Sequence, residues 1–200
     1  MFLENEQAPI SKKKLTNAFS VNRKLVNSKQ FKDKFEGLPL SQECKNRVYK
    51  EVCRLLEFVD GKEDEHMIAV DFFDGHFIVD NFGREGHAKS TAFTQKEYDR
   101  IGDSMVTLIH NHSGNGRPSA TDIKSFYNDE KVCLSIIACH NGTLYAIFKV
   151  EKAMLSVYEE LFTAEKELVG NREDAKKIAT SKLYILNEKS HGKLFDVRML

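Results

Sequence analysis

The stretch Val106-Thr-Leu-Ile-His-Asn-His112 is an apolar run that ends in two histidines one residue apart, and it constrains the chain more than any other segment. An apolar run of this length reads as a buried strand. Side chains two apart on a strand share a face, so His110 and His112 project together from its end. The next residues, "SGNGRPSATD", reverse the pattern. Gly114 and Gly116 let the backbone turn sharply. Pro118 then precedes Ser119, a helix N-cap with Asp122 three residues on, the spacing of a capping box. The chain must therefore end a strand and start a helix within a few residues, with two imidazoles and a carboxylate at the junction.

The rest of the sequence supplies elements to surround that junction. Ser41 caps a helix to about Val59, with Cys44, Val48, Val52, Leu55, Leu56 and Val59 on one face and Gly61 at its end. "HMIAVDFF" and "HFIVDNF" read as strands joined at Asp74-Gly75, and "KVCLSIIAC" and "TLYAIFKV" as strands joined at Asn141-Gly142. "TQKE" at Thr94 is a second capping box, opening a helix that ends near Gly102. Residues 151–169 and 171–188 read as helices, the second capped by Asn171, the first striped by Leu155, Tyr158, Leu161, Phe162, Glu165 and Leu168. The expected fold is α/β, a central mixed sheet flanked by helices. The expected organisation is a basic, partly flexible N-terminal extension over 1–40, a core over 41–150 and a helical C-terminal extension over 151–200.

Composition narrows the function classes. Of 200 residues 41% are hydrophobic, enough for a sizeable core, and acids and bases balance at 30 each. A neutral chain argues against a protein devoted to nucleic acid. The charge is uneven, however. Residues 1–50 carry 11 Lys/Arg against 5 Asp/Glu, and residues 51–200 carry 19 against 25. The basic end reads as a loosely ordered tail followed by a short solvated helix over "SVNRKLVNSKQFKDKF". The start has no signal-peptide pattern and no run approaches the ~18 apolar residues of a membrane span. A soluble, cytoplasmic protein with no membrane partner is expected, and Cys44, Cys53, Cys133 and Cys139, which lack CxxC spacing, read as small core residues.

His110, His112 and Asp122 make a three-ligand set for zinc with a fourth position open, the arrangement of a catalytic rather than a structural ion. Taken singly, each feature has a plainer meaning: Ser119 and Asp122 form a helix start, and two histidines at a strand end can be merely hydrogen-bonded. The metal reading comes from their combination. His66, His76, His87, His140 and His191 lack such spacing and read as surface or satisfied residues, with His140 the best outsider among them.

"HNHSGNGRPSATD" resembles the signature of the JAMM metalloproteases, the JAB or MPN-plus family, and is closest to its prokaryotic RadC-like and phage-associated members. The resemblance is strong over 105–126 and extends through about 65–150. It implies a cytidine-deaminase-like core, zinc ligands at His110, His112 and Asp122, and a serine at Ser119 that holds the polarised substrate oxygen. It also implies a glutamate general base at the start of an earlier strand. "KEDEHMIAVD" offers Glu65 for that role, with Glu63 second and Asp64 farther into the turn. The activity implied is zinc-dependent hydrolysis of a peptide or isopeptide bond, with a protein or a ubiquitin-like conjugate as substrate. Ser113 stands where most members have proline, and the loop to Ser119 is one residue shorter, so this loop is expected to be more mobile. Two other readings remain: an inactive binding or scaffold module of the same fold, and a RadC-like protein that meets nucleic acid through its basic N-terminus. A nucleoside deaminase would need HxE and PCxxC, which are absent.

Overall fold

The computed structural model describes residues 17–84, 87–88 and 91–200. The tail over residues 1–16 lies outside the described residues. The fold is mixed α/β, with a six-stranded mixed sheet between two layers of helix.

The expected long helix is present as Gln42–Val59, here called α3 because two short helices precede it, α1 (Arg23–Val26) and α2 (Lys29–Asp33). Ser41 Oγ accepts from the Cys44 N–H at 3.2 Å. Cys44, Val48, Val52, Leu55, Leu56 and Val59 are all fully buried. Gly61, at a φ of 75°, ends the turn that follows.

The basic segment before α3 differs from the expected solvated helix. Val21, Val26, Phe31, Phe35 and Leu38 are buried in one cluster with the apolar face of α3 and the sheet. Lys24, Lys29 and Lys32 are exposed, while Lys34 is half-buried and donates to the Leu200 carbonyl at 3.0 Å, so the residues that make the segment look solvated cover a second hydrophobic layer. Asn22 and Ser28 each cap a short helix. Those interruptions break any single helical period, which hides the apolar set from a periodicity argument.

After α3 come β1 (Asp64–Glu65), β2 (Met67–Asp71), β3 (Phe77–Asp80) and β4 (His87–Ala88). A short helix α4 (Gln95–Asp99) follows, opened by the expected capping box of Thr94 and Glu97. The central unit is β5 (Val106–His112), α5 (Ala120–Asn128) and β6 (Val132–Cys139). The strands β5 and β6 are parallel, so the chain must cross between them, and α5 is that crossover. The sheet is completed by β7 (Leu144–Val150) and, after helices α6 (Lys152–Val169) and α7 (Arg172–Lys189), by β8 (Phe195–Met199). Strand order is β3-β2-β5-β6-β7-β8, and β1 pairs separately with β4.

Both expected hairpins form, β2 with β3 and β6 with β7, each antiparallel. The Gly142 turn has a φ of 86°, a conformation that favours glycine, and its Cα packs against the Leu25 side chain. The C-terminal region is not helical throughout. Its last strand, β8, pairs antiparallel to β7, and the sequence reading missed it. "FDVRM" is short and carries two charges on an edge position, where alternation is weak. On α6 the expected stripe holds at Glu165, which is buried as the ion-pair partner of Lys182 on α7, but fails at Leu168, which is exposed. Among the described residues no helix is long and apolar enough to cross a membrane.

Candidate metal centre

The pleat of β5 sorts its side chains. Val106, Leu108, His110 and His112 face α5, while Thr107, Ile109 and Asn111 face α3. The strand stops at His112, and α5 begins at its N-cap Ser119. Asp122 is thereby returned to the end of the strand that it faces. Its Oδ1 lies 3.4 Å from His110 Nε2 and its Oδ2 lies 3.5 Å from His112 Nε2. One ligand atom from each of the three residues falls within 4.8 Å of the others, a group that can hold a metal ion.

His110 Nε2 is buried and has no hydrogen-bond partner. At 3.4 Å from Asp122 it is close enough for charge attraction but is not aligned for a hydrogen bond. A buried ring nitrogen without a partner is costly unless something else satisfies it. The donor chemistry, two imidazoles and a carboxylate, fits a divalent transition metal. The rest of the set is already oriented. The Gly116 carbonyl, close to the His112 imidazole, favours its protonated form. The Ser119 N–H and Oγ donate to Asp122 Oδ2 at 2.6 and 2.8 Å, and the Asp122 N–H donates back to Ser119 Oγ at 3.2 Å. The capping box and the ligand set therefore share one carboxylate.

The electrostatics follow from that crowding. Burial would raise the Asp122 carboxyl, but the two imidazoles outweigh it and hold the group well below its ordinary value. Burial would lower the His112 imidazole, but Asp122, Glu65 and the Gly116 carbonyl outweigh it and raise it. The Glu65 carboxyl is pushed up, first by burial, with Asp122 adding to the rise and both histidines opposing it.

Glu65 ends β1, is buried, and lines the same cleft as the three ligands. The register explains why. Met67 pairs with His110 on antiparallel β2 and β5, so continuing that ladder carries Glu65 level with His112. Glu63 is half-buried and borders a smaller cavity of 320 Å³ on the other side of Glu65, together with Phe19 and Ser113. His140 is buried but is not among the ligands; its Nδ1 lies 2.7 Å from the Phe19 carbonyl.

The main cleft has a volume of about 890 Å³. It runs from the histidines along Met67, Leu108 and Phe126 and reaches Lys176 and Tyr184 on α7. The contribution of α7 was not legible in the sequence. Tyr184 donates its hydroxyl to the Pro118 carbonyl at 3.0 Å, and the Arg117 guanidinium lies over its ring at 5.4 Å. Cys139 Sγ reaches the Gly116 carbonyl at 3.8 Å. The loop from Ser113 to Pro118 is thus tied at two carbonyls by residues far away in sequence. No protein-family model, curated protein or solved structure matches the chain.

Proposed function

We propose that the chain is a zinc-dependent peptidase or isopeptidase of the JAMM type, acting on a protein or peptide substrate. The observation that carries this reading is the meeting of His110, His112 and Asp122 with the Glu65 carboxylate in one cleft, where His110 Nε2 has no partner. Zinc is favoured over harder cations because two of three ligands are imidazole. When bound, such an ion supplies Lewis acidity and brings the pKa of water to about 7.

The chain's own groups do the rest. Glu65, at the buried end of β1, takes a proton from the attacking water and returns it to the departing nitrogen. A carboxyl raised above its ordinary value is better matched to that exchange near neutrality. Ser119 is the proposed donor to the developing oxyanion, and it would have to exchange its present partner, Asp122 Oδ2, for the carbonyl oxygen. The cleft extends from the histidines to Lys176 and Tyr184 on α7, which leaves room beyond the scissile bond for neighbouring substrate residues. A ubiquitin-like conjugate is the finer form of the proposal.

The test is elemental analysis of the purified chain together with hydrolysis of linked ubiquitin-like chains and of a quenched fluorogenic peptide library. One zinc per chain, with turnover lost on chelation and restored by zinc, supports the reading. Full zinc occupancy in His110→Ala/His112→Ala would sink the site as drawn.

A further inference from the structure

Asn111 lies between the two histidine ligands on β5 but points to the opposite face, where it is completely buried. Its side chain brackets Glu65. Asn111 Oδ1 accepts from the His66 N–H at 2.7 Å, and Nδ2 donates to the Asp64 carbonyl at 3.1 Å. These are the peptide groups immediately on either side of Glu65. The Asn111 N–H also donates to the His66 carbonyl, at 3.3 Å.

The remaining Nδ2 proton has one partner, His140 Nε2 at 3.3 Å. The tautomer is fixed by the other ring nitrogen. His140 Nδ1 donates to the Phe19 carbonyl at 2.7 Å, so Nε2 is the acceptor. Facing an amide N–H, Nε2 can only serve as the acceptor, and this role follows from the geometry of both ring nitrogens. Both donors and the carbonyl oxygen of the Asn111 amide then have partners, and its orientation is the only one that satisfies all three.

The same network reaches the N-terminal segment. The Asn22 N–H donates to the His140 carbonyl at 2.7 Å, and the Phe19 carbonyl also takes the Gly61 N–H at 3.1 Å. Asp60, at the end of α3, accepts from the Val21 N–H and from Arg23. On the far side of Glu65, a second buried amide repeats the device. Asn81 Oδ1 accepts from the Met67 N–H at 2.8 Å, and its Nδ2 is held by Thr91 Oγ1 at 2.7 Å. Two consecutive N–H groups are thus held by side chains where the chain passes from β1 to β2 and the ordinary ladder is interrupted.

We infer that Asn111 is a positioning residue for Glu65, and that through His140 it couples the docked N-terminal segment 19–23 to that carboxylate. The inference rests on the reading of Glu65 as the general base. One strand would then carry the metal ligands on one face and the clamp on the base on the other. A side chain lacking both an acceptor and two donors would leave the His66 N–H and the Asp64 carbonyl without these partners.

Two readouts test this. In the metal-free protein, Asn111→Ala should speed exchange of the His66 amide by about tenfold or more while the Ile109 and Val52 amides keep their protection. In the Co2+-loaded protein, the visible absorption bands report the open side of the site. Glu65→Gln and Asn111→Ala should each shift those bands, and the double variant should match Glu65→Gln alone. His140→Leu, which leaves the strand itself intact, should shift the bands in the same direction and should also add nothing to Glu65→Gln. Unchanged His66 exchange in Asn111→Ala, or an equal band shift in the Glu65→Gln background, would overturn the proposal. If the unsubstituted chain showed no cobalt bands, the metal reading would fail and the role for Glu65 with it. The His66 exchange would still show separately whether the clamp exists.

Discussion

Phe31 decides whether the basic N-terminal segment is part of the folded core. Its side chain is 0% exposed, lies edge-on to Phe35 at 5.9 Å and is tilted against Tyr49 at 6.3 Å. Truncating a buried Phe to Ala costs about 3–5 kcal/mol, from lost transfer energy and the cavity that remains. Domains are held by only about 5–15 kcal/mol, so Phe31→Ala removes about a fifth or more of the total. For a chain of this size each kcal/mol moves Tm by about 2–4 °C, which predicts a fall of roughly 6–20 °C. Urea unfolding followed by circular dichroism should show a lower midpoint at an unchanged slope. Phe73→Ala is the control, because Phe73 is 70% exposed at the β2–β3 turn and its loss should fall within about 0.5 kcal/mol. If Phe31→Ala were as mild as Phe73→Ala, the segment would be a solvated arm and its packing against α3 would be wrong.

His112→Ala or Asp122→Ala should lose most of the zinc measured by elemental analysis, and adding zinc at ~100 Kd should stabilise only the unsubstituted chain, by about 2.7 kcal/mol in a thermal melt. Glu65→Gln should keep the metal and the fold while hydrolysis falls by about 10²–10⁴-fold, with Glu63→Gln nearly silent in the same assay; the reverse pattern would move the base by two residues. In the metal-free chain Asp122, lowered from 3.8, contributes stability that is present above that value and lost as pH falls through its folded value. His112, raised from 6.5, contributes stability that is present below that value and lost as pH rises through its folded value. Denaturant midpoints should therefore be highest between the two, and Asp122→Asn should flatten the profile on both its acid and its alkaline side; an equally peaked profile in that variant would refute the pairing.

The ligand set was legible because its three members lie in one short segment whose strand end, glycines and helix cap each have a local signature. The structure brings His110, His112 and Asp122 together as the spacing implied. Glu65 was singled out by the family resemblance, which implies a glutamate at the start of an earlier strand; the β2–β5 register then sets it level with His112. The fold class was legible from the same local signals, down to the Ser41 cap and the Asn141-Gly142 turn. What escaped was set by tertiary contact. Phe31 and Phe35 are buried because α3 and the sheet offer them a surface, although every neighbouring lysine argues for solvent. β8 forms because β7 has an unpaired edge, and nothing in "FDVRM" alone demands a strand. The roles of Tyr184, His140 and Asn111 depend on hydrogen bonds across 66, 121 and 45 residues, beyond the reach of any pattern of spacing.

The division of the site between near and distant sequence sets the order in which its properties fail. His110, His112 and Asp122 belong to one strand–turn–helix unit, β5 and α5, and need only that unit to stay together. Glu65 reaches them from β1, whose place depends on side chains from β5 and β6 and on a segment stapled to the end of α3. Partial unfolding that starts at the N-terminal side therefore frees Glu65 before it separates His110, His112 and Asp122. Under the proposed function, heated or mildly denatured chains would pass through a form that still holds metal but no longer turns over, and metal content would overstate the active fraction.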